Sequence, residues 1–270
     1  MTLGAISVQE NIVASINYAT ADAERQVFYR HAPERSVFSE ELVPTAIANG
    51  RRATDLSLDT NGFLLATVPT QVTDFYDDEQ VRKIYYGETC DLVRKLTGAA
   101  DVVLLHGAVR DEGPDARSPR RPARGAHIDY DEPTVRLRIA AEVGAERASE
   151  LLKRRFSAIN VWRPIRTVES TPLAICDGRT IRREDLVESV IADSPDRPLP
   201  PYIGYHLRHH AGQRWYYFPL MRPDELLAFR LIDSDPERTQ LTAHSAFDDP
   251  GSAPDARPRA SYEIRTVAFF

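Results

Sequence analysis

The chain has 270 residues, 42% hydrophobic and 27% charged, with 19 Pro, 13 Gly and 2 Cys, which excludes a disordered, collagen-like or disulfide-stapled protein. Its 34 basic and 40 acidic residues leave a formal charge of −6, so neither nucleic acid nor an anionic membrane is an expected partner. Cys90 and Cys176 lack a C-x-x-C spacing, no apolar run approaches the roughly 20 residues of a membrane span, and the first thirty residues lack the order of a signal peptide. A cytoplasmic setting is expected.

Short runs of β-type residues recur along the chain: 11–18, 62–68, 101–109, 158–162, 173–177, 202–208, 214–219, 226–233 and 261–270. Two segments instead carry apolar residues at helical spacing. In 77–96 these are Val81, Ile84, Cys90 and Val93; in 133–156 they are Val135, Ile139, Val143 and Leu151, with Pro133 at the start. Pro- and Arg-rich stretches at 111–125, 193–201 and 249–259 read as surface loops. The expected fold is α+β, mainly β, with helices packed on a sandwich or barrel. We read one domain over 1–270, with an extension at 1–55 that either adds strands or supplies a homodimer contact, and a core at 56–270.

Candidate chemistry starts at Gly125-Ala126-His127-Ile128-Asp129-Tyr130. In a strand, the i, i+2 spacing sends His127 and Asp129 to one face, where imidazole and carboxylate can grip one metal ion. A 2-His-1-carboxylate triad on Fe(II) needs one more imidazole and leaves positions open for small molecules. His244 is the leading candidate, with the adjacent His209 and His210 as competing donors. Arg259 and Ser261 then share one face of the last strand, where a guanidinium with a neighbouring hydroxyl suits capture of a carboxylate. Arg257 and Arg265 are rivals for that role.

The order H-x-D, distant His, R-x-S resembles the Fe(II)/2-oxoglutarate-dependent oxygenases, whose core is a double-stranded β-helix, or jelly roll. Three segments are similar to a narrower family of hydroxylases and desaturases of specialised metabolism that includes gibberellin desaturase, a cephem methoxylation protein and meroterpenoid dioxygenases. They are Ile159-Asn160-Val161-Trp162-Arg163-Pro164-Ile165 followed by 172–177; Arg214-Trp215-Tyr216-Tyr217-Phe218-Pro219 with 232–234; and His244-Ser245-Ala246-Phe247-Asp248-Asp249-Pro250 with 259–265. The likeness covers most of 55–270. It implies His127, Asp129 and His244 as iron ligands and Arg259 with Ser261 as the clamp for the distal carboxylate of 2-oxoglutarate. It also implies Asn160, Arg163 and Tyr216 as pocket residues for cosubstrate or substrate.

The implied cofactors are Fe(II), 2-oxoglutarate and O2, with succinate and CO2 as coproducts of oxidising a small natural product by hydroxylation, desaturation or a related C–H oxidation. The substrate is expected in the barrel mouth beside 215–218, with 111–125 as a mobile loop, a lid or a site for an acidic substrate. Two alternatives are a cupin-like isomerase or hydrolase that uses the same triad without 2-oxoglutarate, and a non-catalytic binding barrel.

Overall fold

The structure is a computed structural model that describes residues 11–196 and 202–270; part of the Pro-rich stretch 193–201 and the first ten residues of the extension lie outside these. Fourteen strands form among the described residues: β1 (Asn11–Ala19), β2 (Arg25–Tyr29), β3 (Glu40–Asn49), β4 (Phe63–Thr67), β5 (Asp101–Asp111), β6 (His127–Ile128), β7 (Phe156–Pro164), β8 (Leu173–Cys176), β9 (Leu186–Ala192), β10 (Tyr202–Leu207), β11 (Trp215–Tyr217), β12 (Glu225–Asp233), β13 (His244–Ala246) and β14 (Ala260–Phe269). They make a nine-stranded sheet in the order β1-β3-β11-β8-β13-β6-β10-β9-β2 and a five-stranded sheet in the order β4-β12-β7-β14-β5.

From β5 to β8, and again from β11 to β14, the chain alternates between the two sheets. β5, β7, β12 and β14 lie in the smaller sheet, and β6, β8, β11 and β13 in the larger. This winding is the double-stranded β-helix, and it buries the central strands on both faces: every residue of β7, β12 and β14 is buried. Such strands read as continuous apolar runs. β1, by contrast, alternates strictly: Ile12, Ala14, Ile16 and Tyr18 enter the core while its other face stays open. The N-terminal region therefore adds strands, with β1 and β3 paired antiparallel and β3 running parallel beside β11.

The outer face of the smaller sheet is covered by α1 (Asp78–Gln80), a π-helical turn at Val81–Tyr85, and α2 (Tyr86–Thr97). Val81, Tyr85 and Val93 pack there on Val161, Ala228, Tyr262 and Ile264. Asp77 caps the start by accepting from the Glu79 and Gln80 amides. The single helix expected over 133–156 is two, α3 (Glu132–Val143) and α4 (Ala145–Leu151), because Gly144 sits at φ 81° between them. Phe156 already opens β7. No helix of the described residues is long and apolar enough to cross a membrane.

Candidate active site

β6 carries His127 at its start, Asp129 follows its end, and β13 lies antiparallel beside it with His244 directly opposite His127. Directly opposed residues share a face, so both imidazoles point toward the smaller sheet with Asp129. Their ligand atoms lie within 4.8 Å of one another, and this is the one cluster of metal-ligating type among the described residues. His127 Nδ1 donates to the Gly125 carbonyl at 2.8 Å, which leaves Nε2 as a free acceptor. Both ring nitrogens of His244 are buried without a hydrogen-bond partner among the described residues, and Nε2 lies 3.7 Å from Asp129 Oδ2. Burial holds both histidines down at about 4, so the rings are neutral near pH 7 and their lone pairs are free. Burial alone would raise the Asp129 carboxyl, but Arg265 and the two imidazoles hold it well below the carboxylate range.

Each Asp129 oxygen accepts one hydrogen bond, Oδ1 from Arg265 and Oδ2 from Asn160, both at 2.6 Å. Two neutral imidazoles and an oriented carboxylate fit a divalent transition metal, and the unpartnered His244 nitrogens are what a missing metal would leave. Along β14, Ser261, Glu263 and Arg265 share the face that looks onto Asp129. At the head of this strand Arg259 is 1% exposed, and no carboxylate lies within ion-pair distance of it among the described residues. Its Nη1 donates to the Thr171 carbonyl at 2.8 Å, its guanidinium lies 5.4 Å from the centre of the Trp162 ring, and its Nε, like Ser261 Oγ, has no partner. A buried cation without a counter-charge is costly, and an organic dicarboxylate fits this pair of unsatisfied donors.

A family model described as an oxidoreductase/YMDC permease-like domain matches residues 16–269. An alpha-ketoglutarate-dependent dioxygenase, phiK, from a fungal species is 33% identical over 228 residues, 81% of each chain. The Fe(II)/2-oxoglutarate-dependent dioxygenase nvfI of Aspergillus novofumigatus is 33% identical over 72% of this chain and 69% of its own. A solved structure of the iron and alpha-ketoglutarate-dependent endoperoxidase NvfI superposes with a TM-score of 0.86 at 26% identity, covering 97% of this chain and 98% of that one. The chain belongs to the Fe(II)/2-oxoglutarate-dependent dioxygenases.

As a dioxygenase of this hydroxylase/desaturase type it uses Fe(II), 2-oxoglutarate and O2 to oxidise a small molecule of specialised metabolism. Not every expected pocket residue faces its site. Asn160 does, but Arg163 is three residues on and points to the other side of β7, where it donates to Tyr85 Oη at 3.1 Å and to the Pro223 carbonyl at 2.6 Å. It braces the helix against the sheet instead of lining the pocket. Within 215–218, Trp215, Tyr217 and Phe218 are core residues. Tyr216 alone lies in the row of Ile175 and His244, with its ring 5.6 Å from Phe63. His209 and His210 follow β10, and His209 packs edge-on against Tyr18.

Three site neighbours of the dioxygenase carry no motif of their own. Glu263 shares Arg265 with Asp129 and lies 2.6 Å from its Nη2. Phe229 packs 4.7 Å from the His244 ring. His206, opposite His127 on β10, lies 6.2 Å from that ring and 3.5 Å from Glu40. Period-two alternation from Arg259 points to Glu263; His206 and Phe229 need the strand register. Beside Glu40, a cavity of about 790 Å³ opens between Val13, Asn17 and Leu42 on one side and Arg124 and Phe247 on the other.

Proposed function

We propose that His127, Asp129 and His244 hold the Fe(II) and that Arg259, with Ser261, receives the distal carboxylate of 2-oxoglutarate, while Asn160 and Tyr216 line the same pocket. The single observation that carries this reading is the buried Arg259 guanidinium, unpaired, on the strand whose Arg265 bonds the candidate ligand Asp129. Fe(II), when bound with 2-oxoglutarate, supplies the oxidation of substrate by O2, with succinate and CO2 as coproducts. The chain's own residues do the rest. The Gly125 carbonyl fixes the His127 tautomer, Asn160 and Arg265 orient Asp129, and the apolar wall of Phe229, Ile175 and Phe63 keeps water from the reacting carbon.

The apolar body of a small natural product fits the 790 Å³ cavity, which borders the ligand strands at Arg124 and Ala246 and has the size of ordinary small-molecule pockets. The reading includes a cytoplasmic setting, consistent with two free thiols at Cys90 and Cys176. The test is anaerobic. Fe(II) and then 2-oxoglutarate are added to purified apoprotein, and the visible charge-transfer band of the chelate is followed. The band is expected in wild type, absent in His127→Ala, and shifted to much higher cosubstrate concentration in Arg259→Ala. Metal binding without the band in wild type would reject the assignment of these residues.

A further inference from the structure

The two acids that face the ligand cluster are already engaged by a cation. Asp129 and Glu263 share Arg265, each at 2.6 Å from its Nη2. Glu112, at the end of the β5 wall, is taken by Arg124 at 2.6 Å. In the reading above, Fe(II) and the doubly charged cosubstrate offset one another. The β5 wall nonetheless carries further cations. Arg110 lies opposite Ser261 and His106 opposite Arg265 in the β14–β5 register, so both project from the face that holds the cosubstrate and ligand side chains.

Arg120 reaches the same wall from the 111–125 loop, and its Nη1 lies 2.9 Å from His106 Nε2. Arg110 donates only to the Arg121 carbonyl, at 2.9 Å. Neither guanidinium has an acidic partner within ion-pair distance among the described residues. Like charges held together this way repel: burial, then Arg110, Arg265 and Arg30, push the Arg120 pKa down. His106 is lowered to about 4 by partial desolvation, then by Arg265 and Arg120, so its neutral ring accepts a hydrogen bond from Arg120 Nη1 and aims the guanidinium.

The arrangement is also tied down. The Asp111 amide donates to the Arg120 carbonyl at 3.0 Å, Ser118 Oγ to the Val109 carbonyl at 2.8 Å, and Arg121 to the Gly113 carbonyl at 2.9 Å. Asp111 itself is held by Tyr76 and Arg166. Two guanidiniums on one wall, each oriented by a hydrogen bond and without an acidic partner among the described residues, suit an anion, and their planar forks match a carboxylate.

We propose that the substrate of this dioxygenase is an organic carboxylate, bound through its carboxylate by Arg110 and Arg120 on the β5 wall. The proposal rests on the cosubstrate being held at Arg259. It narrows the substrate class to acids and gives the 111–125 loop a binding role.

The test uses the full chain as its anaerobic Fe(II)–2-oxoglutarate complex, with cosubstrate saturating. Benzoate, 2-naphthoate and decanoate are each titrated calorimetrically against the neutral alcohol of the same skeleton. At least one acid is expected to bind about tenfold or more tighter than its alcohol. The Arg110→Met/Arg120→Met double variant should erase that preference, Arg110→Lys should keep part of it, and Arg117→Met, which removes a pair with Asp74 on the outside of the loop, should keep all of it. No acid preference in wild type, or one that survives the double variant, overturns the proposal. So does an acid that binds only by displacing 2-oxoglutarate, seen as loss of the charge-transfer band. Failure of the band to form at all would instead reject the cosubstrate site, so the two failures are told apart in one cell.

Discussion

Replacing Arg259 with Met should leave the apoprotein about as stable as wild type and make the enzyme worse. In the absence of cosubstrate the guanidinium is buried with one carbonyl partner, an indole face and an unpartnered Nε, and burial drags its pKa to about 9. Exchanging buried charge for a well-packed apolar side chain gains about 1–4 kcal/mol. Against this stand the lost Trp162 contact, about 0.5–2 kcal/mol, and the lost hydrogen bond, about 1 kcal/mol. The terms nearly cancel, leaving a net change well under about 1 kcal/mol, so the Tm of the apoprotein should stay within about 2 °C of wild type.

Binding of 2-oxoglutarate should weaken instead. Truncating one side of a buried, hydrogen-bonded charge pair costs about 2–5 kcal/mol, a loss of roughly 30- to 5,000-fold in Kd. Thermal unfolding of the apoprotein and anaerobic titration of the charge-transfer band read the two effects separately. A Tm several degrees below wild type would show that Arg259 is structural, and a Kd within about threefold of wild type would show that the distal carboxylate is held elsewhere.

Asn160→Ala removes the donor on Asp129 Oδ2 and should weaken Fe(II) binding about 10- to 100-fold, measurable by competition with a chelator; unchanged affinity would mean that Arg265 alone orients the carboxylate. In Gly204→Ala, the new Cβ would crowd the Ile128 carbonyl and come within 2.6 Å of the Asp129 carbonyl. This should push β10 off the H-x-D segment and depress iron affinity more than it depresses Tm. Arg51 forms a bidentate pair with the buried Glu225, at 2.7 and 2.8 Å, and its hydrogen bonds hold the Glu225 pKa down. A lowered carboxylate stabilises the fold above its unfolded value and loses that contribution as pH falls through the folded one. Arg51→Ala should therefore lose about 2–3 kcal/mol near neutrality, reduced from a fully buried pair because Arg51 is 28% exposed. In denaturant melts the gap to wild type should close below pH of about 4; a constant gap would place the effect in packing.

The pairing of His127 with Asp129 was legible because its logic is local. Period-two spacing puts His127 and Asp129 together whatever else the chain does, and the same rule links Arg259, Ser261 and Arg265. Arg163 was misread because β7 is buried on both faces, so nothing in its composition distinguishes the cosubstrate side from the helix side. β3 was hidden by Pro44 and its acidic start, and β9 by the charge at Glu188. β13 is three residues long and exists only through its neighbours. The helical pattern ran past Gly144 since the apolar spacing continues into α4 while the backbone breaks between them. His206 and the cations of the β5 wall became visible only through register, which long-range pairing sets.

β14 sits between β7 and β5, yet it is the last strand of the described chain to be made. On the ribosome, therefore, β5 and β7 emerge with facing edges unpaired, and the nascent chain exposes two hydrogen-bonding edges of its central sheet until the final strand slots between them. That strand brings Arg259, Ser261 and Arg265 with it, so a partly synthesised chain has neither the proposed seat for the cosubstrate nor an anchored Asp129. The insertion that closes the sheet also switches on the site. An incomplete product therefore cannot run oxygen chemistry without the residues that direct it, and late truncations of this chain should be inactive and prone to aggregate.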